Sequence, residues 1–126
     1  MNIAFFDFDG TITNKDTFML FTLRISGITK FILGMIILSP ILMMYRLRIL
    51  SNQYMKTSII KYYYKGLRVD QIKSIAKEFN SSVIKKIIRK KALDKIKWHK
   101  KNNDKVVIVS ASSDIWLDEW CKENQL

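Results

Sequence analysis

Asp7 and Asp9, followed by Gly10 and Thr11, are the residues of this chain whose types and spacing best suit chemistry. In an extended strand, residues two apart point to the same side, so both carboxylates reach one site if the backbone stays extended through Asp9. Held that close they repel each other unless a cation sits between them, and hard oxygen donors select a divalent ion such as Mg2+. One carboxylate can then attack an electrophilic phosphorus and form an aspartyl phosphate, while the other moves the proton of the leaving group. Thr11 offers a hydroxyl or backbone donor to the phosphoryl oxygens. The same residues also make an ordinary solvated Asp-Gly turn, so the pair needs support from elsewhere. A second apolar run supplies it by ending in Ser110, Ala111, Ser112 and Ser113. If the two runs are neighbouring strands, Ser110 stands at the corresponding sheet edge and can donate to a bound phosphate.

The elements that must position these groups are legible as patterns. Ile3 to Phe8 reads IAFFDF and Val106 to Val109 reads VVIV, short apolar runs of the kind buried in parallel sheets. Ligands bind beyond the carboxyl ends of such strands, where the aspartates and serines lie. Helical periodicity fills the space between. Asn14 or Asp16 caps a helix over Thr17 to Ile25, a second runs from Gly27 toward a break at Pro40, and a third spans about Leu50 to Tyr64, ending at Gly66. Asp70 opens a helix through Phe79. Ser81 or Ser82 caps a longer one, whose apolar positions run from Val83 to Ile96, and Ser113 or Asp114 caps the last.

Length and composition bound the rest. The 126 residues amount to one domain or part of one; 48% apolar and 26% charged residues, with four Gly and one Pro, fit a folded core and exclude a disordered or collagenous chain. Cys121 is alone, so no internal disulfide forms and the thiol reads as an ordinary half-buried one. The first apolar run is interrupted by acids and no cleavage-type segment follows it, which makes the cytoplasm the expected location. Net charge is +11, and between Arg24 and Lys105 twenty basic residues face four acids. Such a balance suits nucleic acid, an anionic membrane surface or phosphorylated ligands.

A hydrophobic strand ending in DFDGT, a helical insertion and then VVIVSAS resemble the haloacid dehalogenase superfamily, in the branch of phosphoserine phosphatase-like enzymes (subfamily IB). The resemblance implies an α/β fold, a partial Rossmann-like parallel sheet with a large helical cap insertion. Residues 1–13 and 102–126 would form the incomplete core and residues 14–101 the cap. It further implies a Mg2+-dependent phosphatase in which Asp7 is nucleophile and metal ligand. Asp9 would be general acid and base and also a metal ligand, through its backbone carbonyl. Thr11, Ser110 and Ala111 would lie in the phosphate-binding positions. A charge-stabilising lysine and a late acidic metal ligand also belong to the family pattern. Neither is identifiable in the sixteen residues after Ser110, and the chain reads as an amino-terminal portion of a phosphatase.

A cap governs which substrate reaches the site, and here it is basic and apolar. Phe31 to Tyr45, FILGMIILSPILMMY, holds fifteen residues without a charge. A spanning helix needs about 20, so a helix pair buried in the protein or lying at a membrane interface is expected. A small phosphorylated substrate is the first expectation. A lipid phosphate with peripheral membrane contact is the second, and the phosphatidylglycerophosphate phosphatases of the same branch are similar in carrying an apolar segment with a proline after the first motif. Nucleic-acid binding is disfavoured because Tyr62, Tyr63 and Tyr64 point in different directions on a helix and make no stacking platform. His99 is given no role.

Overall fold

The computed structural model describes residues 1–111 and 113–126. The chain forms two compact units, one of Met1–Leu20 with Lys73–Leu126, the other of Phe21–Ile72. The first thus takes in residues 73–101 together with the two strands.

In the first unit, strands β1 (Ile3–Asp7) and β2 (Lys105–Val109) pair in parallel, with Ile3 opposite Lys105 and Asp7 opposite Val109. Parallel neighbours need a long crossover, which the helical segments between them provide. The first strand stops one residue earlier than its apolar run, because Phe8 opens a wide turn over Phe8–Ile12 that is closed by the Thr13 N–H donating to the Phe8 carbonyl at 3.0 Å. Phe8 itself is buried and meets Trp120 edge to face, with ring centroids 5.1 Å apart. At its other end β2 begins at Lys105, whose N–H donates to the Asn2 carbonyl.

Helix α1 (Thr17–Ser26) starts in this unit, and Asp16 accepts from the Met19 N–H as its sequence position predicts. Asn14 does not cap; its N–H donates to the Ile87 carbonyl. Later in the chain come α5 (Val69–Phe79), α6 (Lys85–Ile87), α7 (Lys90–Lys101) and α8 (Asp114–Glu123).

The single helix expected from Ser81 or Ser82 to Ile96 does not form. Ser81 and Ser82 donate back to the Glu78 carbonyl instead of capping, a wide π-helical segment over Asn80–Ile84 carries the chain on from α5 into α6, and the break comes at Ile88, which is extended. The reason is tertiary. Ile88 bridges Thr13 antiparallel, and the Arg89 N–H donates to the Ile12 carbonyl at 2.7 Å, so backbone pairing with the aspartate loop overrides helix propensity. Ile12, Phe79, Ile84, Ile96 and Trp116 form the buried centre around this seam.

The second unit holds the rest of α1, then α2 (Ile28–Ile37), α3 (Ser39–Arg46) and α4 (Asn52–Tyr63). Gly27, at φ +80, turns the chain into α2 in a conformation that side-chain-bearing residues rarely adopt. The break between α2 and α3 falls at Leu38, with Pro40 in the first turn of α3, where its missing N–H costs nothing. Ser51 caps α4 by accepting from the Tyr54 N–H.

Gly34 is the buried residue of α2, and a Cβ there would collide with the Tyr63 and Tyr62 rings. Tyr63 is buried and donates its hydroxyl to the Phe31 carbonyl, while Tyr64 shares a hydrogen bond with Thr22. The three tyrosines therefore make no common platform. The expectation that Phe31 to Tyr45 is buried fails for its outward side: Ile32, Leu33, Ile36, Ile37 and Met43 are each more than half exposed.

Candidate functional site

The site begins with the register of the sheet. Because Asp7 pairs with Val109, the residue after β2, Ser110, emerges at the same edge as the turn that carries Asp9. Asp7 (φ −76, ψ 151) and Asp9 (φ −70, ψ 125) are extended but Phe8 between them is not, so the strand's alternation stops at Asp7, and Gly10, at φ +79, then diverts the chain. The turn is held from below by Thr13, fully buried, whose hydroxyl donates to the Lys15 carbonyl at 2.7 Å and accepts from the Gly10 N–H at 3.4 Å.

Each acid has a defined environment. Asp7 is exposed, and its Oδ1 accepts from the Phe8 N–H at 2.8 Å, which orients the carboxyl. Asp9 is half-buried. Its Oδ1 accepts from both the Thr17 N–H at 2.9 Å and the Thr17 hydroxyl at 2.6 Å. The fully buried Trp116 donates its indole N–H to that hydroxyl at 3.1 Å. A relay thus runs from the core through Thr17 to Asp9, joining the first turn of α1, the aspartate turn and α8.

Thr11 and Ala111 are exposed at this edge and Ser110 is half-buried. Ser112, expected among the serines, lies outside the described residues. Ser113 caps α8 by accepting from the Ile115 N–H, so a helix amino terminus, whose dipole favours anions, begins within four residues of Ser110. Thr13, Thr17 and Trp116 are the site residues that sequence reasoning missed. Thr17 was legible as the opening residue of a helix. That its amide and hydroxyl turn to an acid eight residues earlier was not.

Among the described residues, no group of three or more His, Cys, Asp or Glu is placed to hold a metal ion. The donors at the strand edge are nonetheless all hard oxygens, the two carboxylates and the Asp9 carbonyl. That set suits Mg2+, which takes one or two protein carboxylates and completes its shell with waters and substrate phosphate. Elsewhere in this unit a cavity of about 600 Å3 is lined by residues including Lys85, Lys90, Trp120 and Glu123, and none of the expected site residues lines it. The Cys121 thiol is pushed up in pKa by burial, reinforced by Asp118, which disfavours the thiolate.

His99 does have a structural task. Its Nδ1 lies 2.9 Å from Asp104 Oδ2, while Asp104 Oδ1 accepts from the Asn2 N–H at 3.0 Å. This clamp ties the start of β1 to the loop before β2. The His99 hydrogen bond, then the Asn2 N–H, hold the Asp104 carboxyl below the ordinary carboxylate pKa.

A parallel pair with an Asp-x-Asp-Gly-Thr turn after one strand and a Ser after the other is the arrangement expected of the haloacid dehalogenase class. The haloacid dehalogenase-like hydrolase family matches residues 4–126, and the chain belongs to that family. The chain is also similar to Protein CicA from two strains of Caulobacter vibrioides, 31% identical over 110 residues, which cover 87% of this chain and 49% of each relative. It therefore spans about half the length of these curated relatives. No solved structure matches it.

Proposed function

We propose that the protein is a Mg2+-dependent phosphatase of the phosphoserine phosphatase-like branch, with the helical insertion between its two strands supplying a cap, hydrolysing a phosphomonoester through an aspartyl phosphate. The observation that carries this reading is the register that sets Ser110 at the edge where Asp7 and Asp9 stand. Family membership supports hydrolytic chemistry.

In the proposed sequence, a carboxylate oxygen of Asp7 attacks phosphorus and the bond from phosphorus to the ester oxygen breaks. The departing oxygen takes a proton from Asp9. Water then attacks the aspartyl phosphate, gives its proton to Asp9, and releases inorganic phosphate with Asp7 restored. The Thr17 pair of donors holds Asp9 in one orientation throughout. Thr11, Ser110 and the backbone near Ala111 bind the phosphoryl oxygens. Mg2+, held by Asp7 and Asp9 when bound, supplies positive charge against the phosphoryl group. The whole protein is proposed to carry the charge-stabilising lysine and the late acidic ligand. The substrate is a small phosphomonoester in the first reading. The exposed apolar side of α2 and α3 favours a lipid phosphate as the second.

The test is release of phosphate from a generic aryl phosphate with Mg2+. Asp7→Asn is expected to leave no activity above background, Asp9→Asn to lose about 10²- to 10⁴-fold, and chelation to abolish turnover. Full activity in Asp7→Asn refutes the aspartyl-phosphate reading.

A further inference from the structure

We propose that α2, α3 and the segment Leu47–Ile49 form a surface that docks in the plane of an anionic lipid bilayer. The inference rests on the second unit alone, so its fate and that of the phosphatase reading are separable.

The orientation of α2 is the first observation. With about 100° between successive residues, Ile28, Ile32 and Ile36 form one row and Leu33 and Ile37 the next, together about half of the helix circumference. All five are exposed, from 52% to 64%. The opposite side carries Gly34, packed against Tyr63 and Tyr62, and Phe31, stacked on Tyr63 with ring centroids 5.8 Å apart. A helix on the surface of a water-soluble domain turns its apolar stripe inward. Here the small residue is inward and the branched aliphatics are outward. The apolar surface continues through Met43 (60%), Leu47 (62%) and Ile49 (64%).

Charge is the second observation, and it selects the occupant. Arg46 and Arg48 stand exposed beside Leu47 and Ile49, while Lys30 turns its ammonium toward α4 and donates to the Tyr63 carbonyl at 3.4 Å. Within Phe21–Ile72 eight basic residues face Asp70 alone. A second copy of this chain would bring the same positive surface against itself, whereas acidic lipid headgroups complement it. The manner of contact follows from length. No single helix among the described residues is long and apolar enough to cross a membrane, and α1 with α2 reaches that length only as a pair bent by 116°; a break that sharp, with α2 exposing its aliphatic side, suits helices lying flat with their apolar side chains in the headgroup boundary.

Flotation of the chain with phosphatidylcholine vesicles, with and without phosphatidylserine, tests this. The chain is expected to float with the anionic vesicles and to stay behind with neutral ones at the same concentration. Ile32→Asp combined with Ile36→Asp, both at exposed positions, should weaken binding by at least about a hundredfold while circular dichroism stays unchanged. Arg46→Glu with Arg48→Glu should weaken it by about tenfold or more. A chain that remains wholly with the soluble fraction overturns the proposal. So does an aspartate double variant that binds as well as the parent, which would assign attachment to charge elsewhere. Self-association in light scattering that the aspartate variant abolishes, without vesicle binding, would give the face to a second copy and equally overturn it.

Discussion

Thr17 stands between a buried indole and an acid at the strand end, accepting from Trp116 and donating to Asp9. One hydroxyl serves both because it has one proton and two lone pairs. Removing it takes away the acceptor that the buried Trp116 N–H meets at 3.1 Å and the shorter of the two bonds that Thr17 gives Asp9. Thr17→Val should therefore cost about 1–3 kcal/mol of stability, read from urea unfolding. It should also lower phosphatase activity about 10- to 100-fold, the size typical of losing a group that orients a reactive ligand. Thr17→Ser keeps the hydroxyl and should restore most of the activity; restoration by valine instead would show that Asp9 needs no such support. None of this relay was readable beforehand, because Thr17 and Trp116 are 99 residues apart. The acids themselves were legible as a motif after an apolar run, but that β1 ends at Asp7 and leaves Asp9 in the turn that follows was not.

Gly34 sets how closely α2 approaches α4. Its missing Cβ is the space that the Tyr63 ring and hydroxyl occupy, and the ring is pinned by its bond to the Phe31 carbonyl. Gly34→Ala gains up to about 1 kcal/mol in helix propensity but must push this fixed ring aside. Overpacking of about 1–3 kcal/mol should dominate, and thermal unfolding should show a lower midpoint; a rise would mean that α2 can slide without penalty. Helices with their own capping groups agree with the sequence at this scale. Asp16 at α1 and Ser113 at α8, both expected as caps, each accept from a first-turn N–H, as does Ser51 at α4, which was not singled out. The exception is the stretch from Ser81 to Ile96. Its apolar spacing is helical, yet Ile88 leaves the helix to pair with Thr13. A backbone pairing of that kind depends on where another loop lies, and periodicity carries no such information.

At the scale of the molecule, the two-stranded sheet is held at its base by the Asp104 clamp to His99 and Asn2. The Asp104 pKa is lowered in the folded chain, so the unfolded chain binds its proton more readily. The stabilisation is complete above the ordinary carboxylate pKa and is lost as pH falls through the lowered folded value. Asp104→Asn should reduce stability at neutral pH and flatten its decline in acid, as followed by unfolding at a series of pH values. An unchanged acid profile would remove this clamp from the account.

Two acids two residues apart at a strand end, a serine at the end of a second strand, and a basic, apolar helical segment between them all followed from the sequence alone. Each depends on local periodicity or composition, which the order of residues contains. The tertiary structure decided that the strands pair in the register joining Asp7 to Val109, that Asp9 is gripped through Thr17 by Trp116, and that α2 turns its aliphatic side outward. These outcomes rest on hydrogen bonds and packing between residues distant in the chain, where the preference of one segment is settled by what another places beside it.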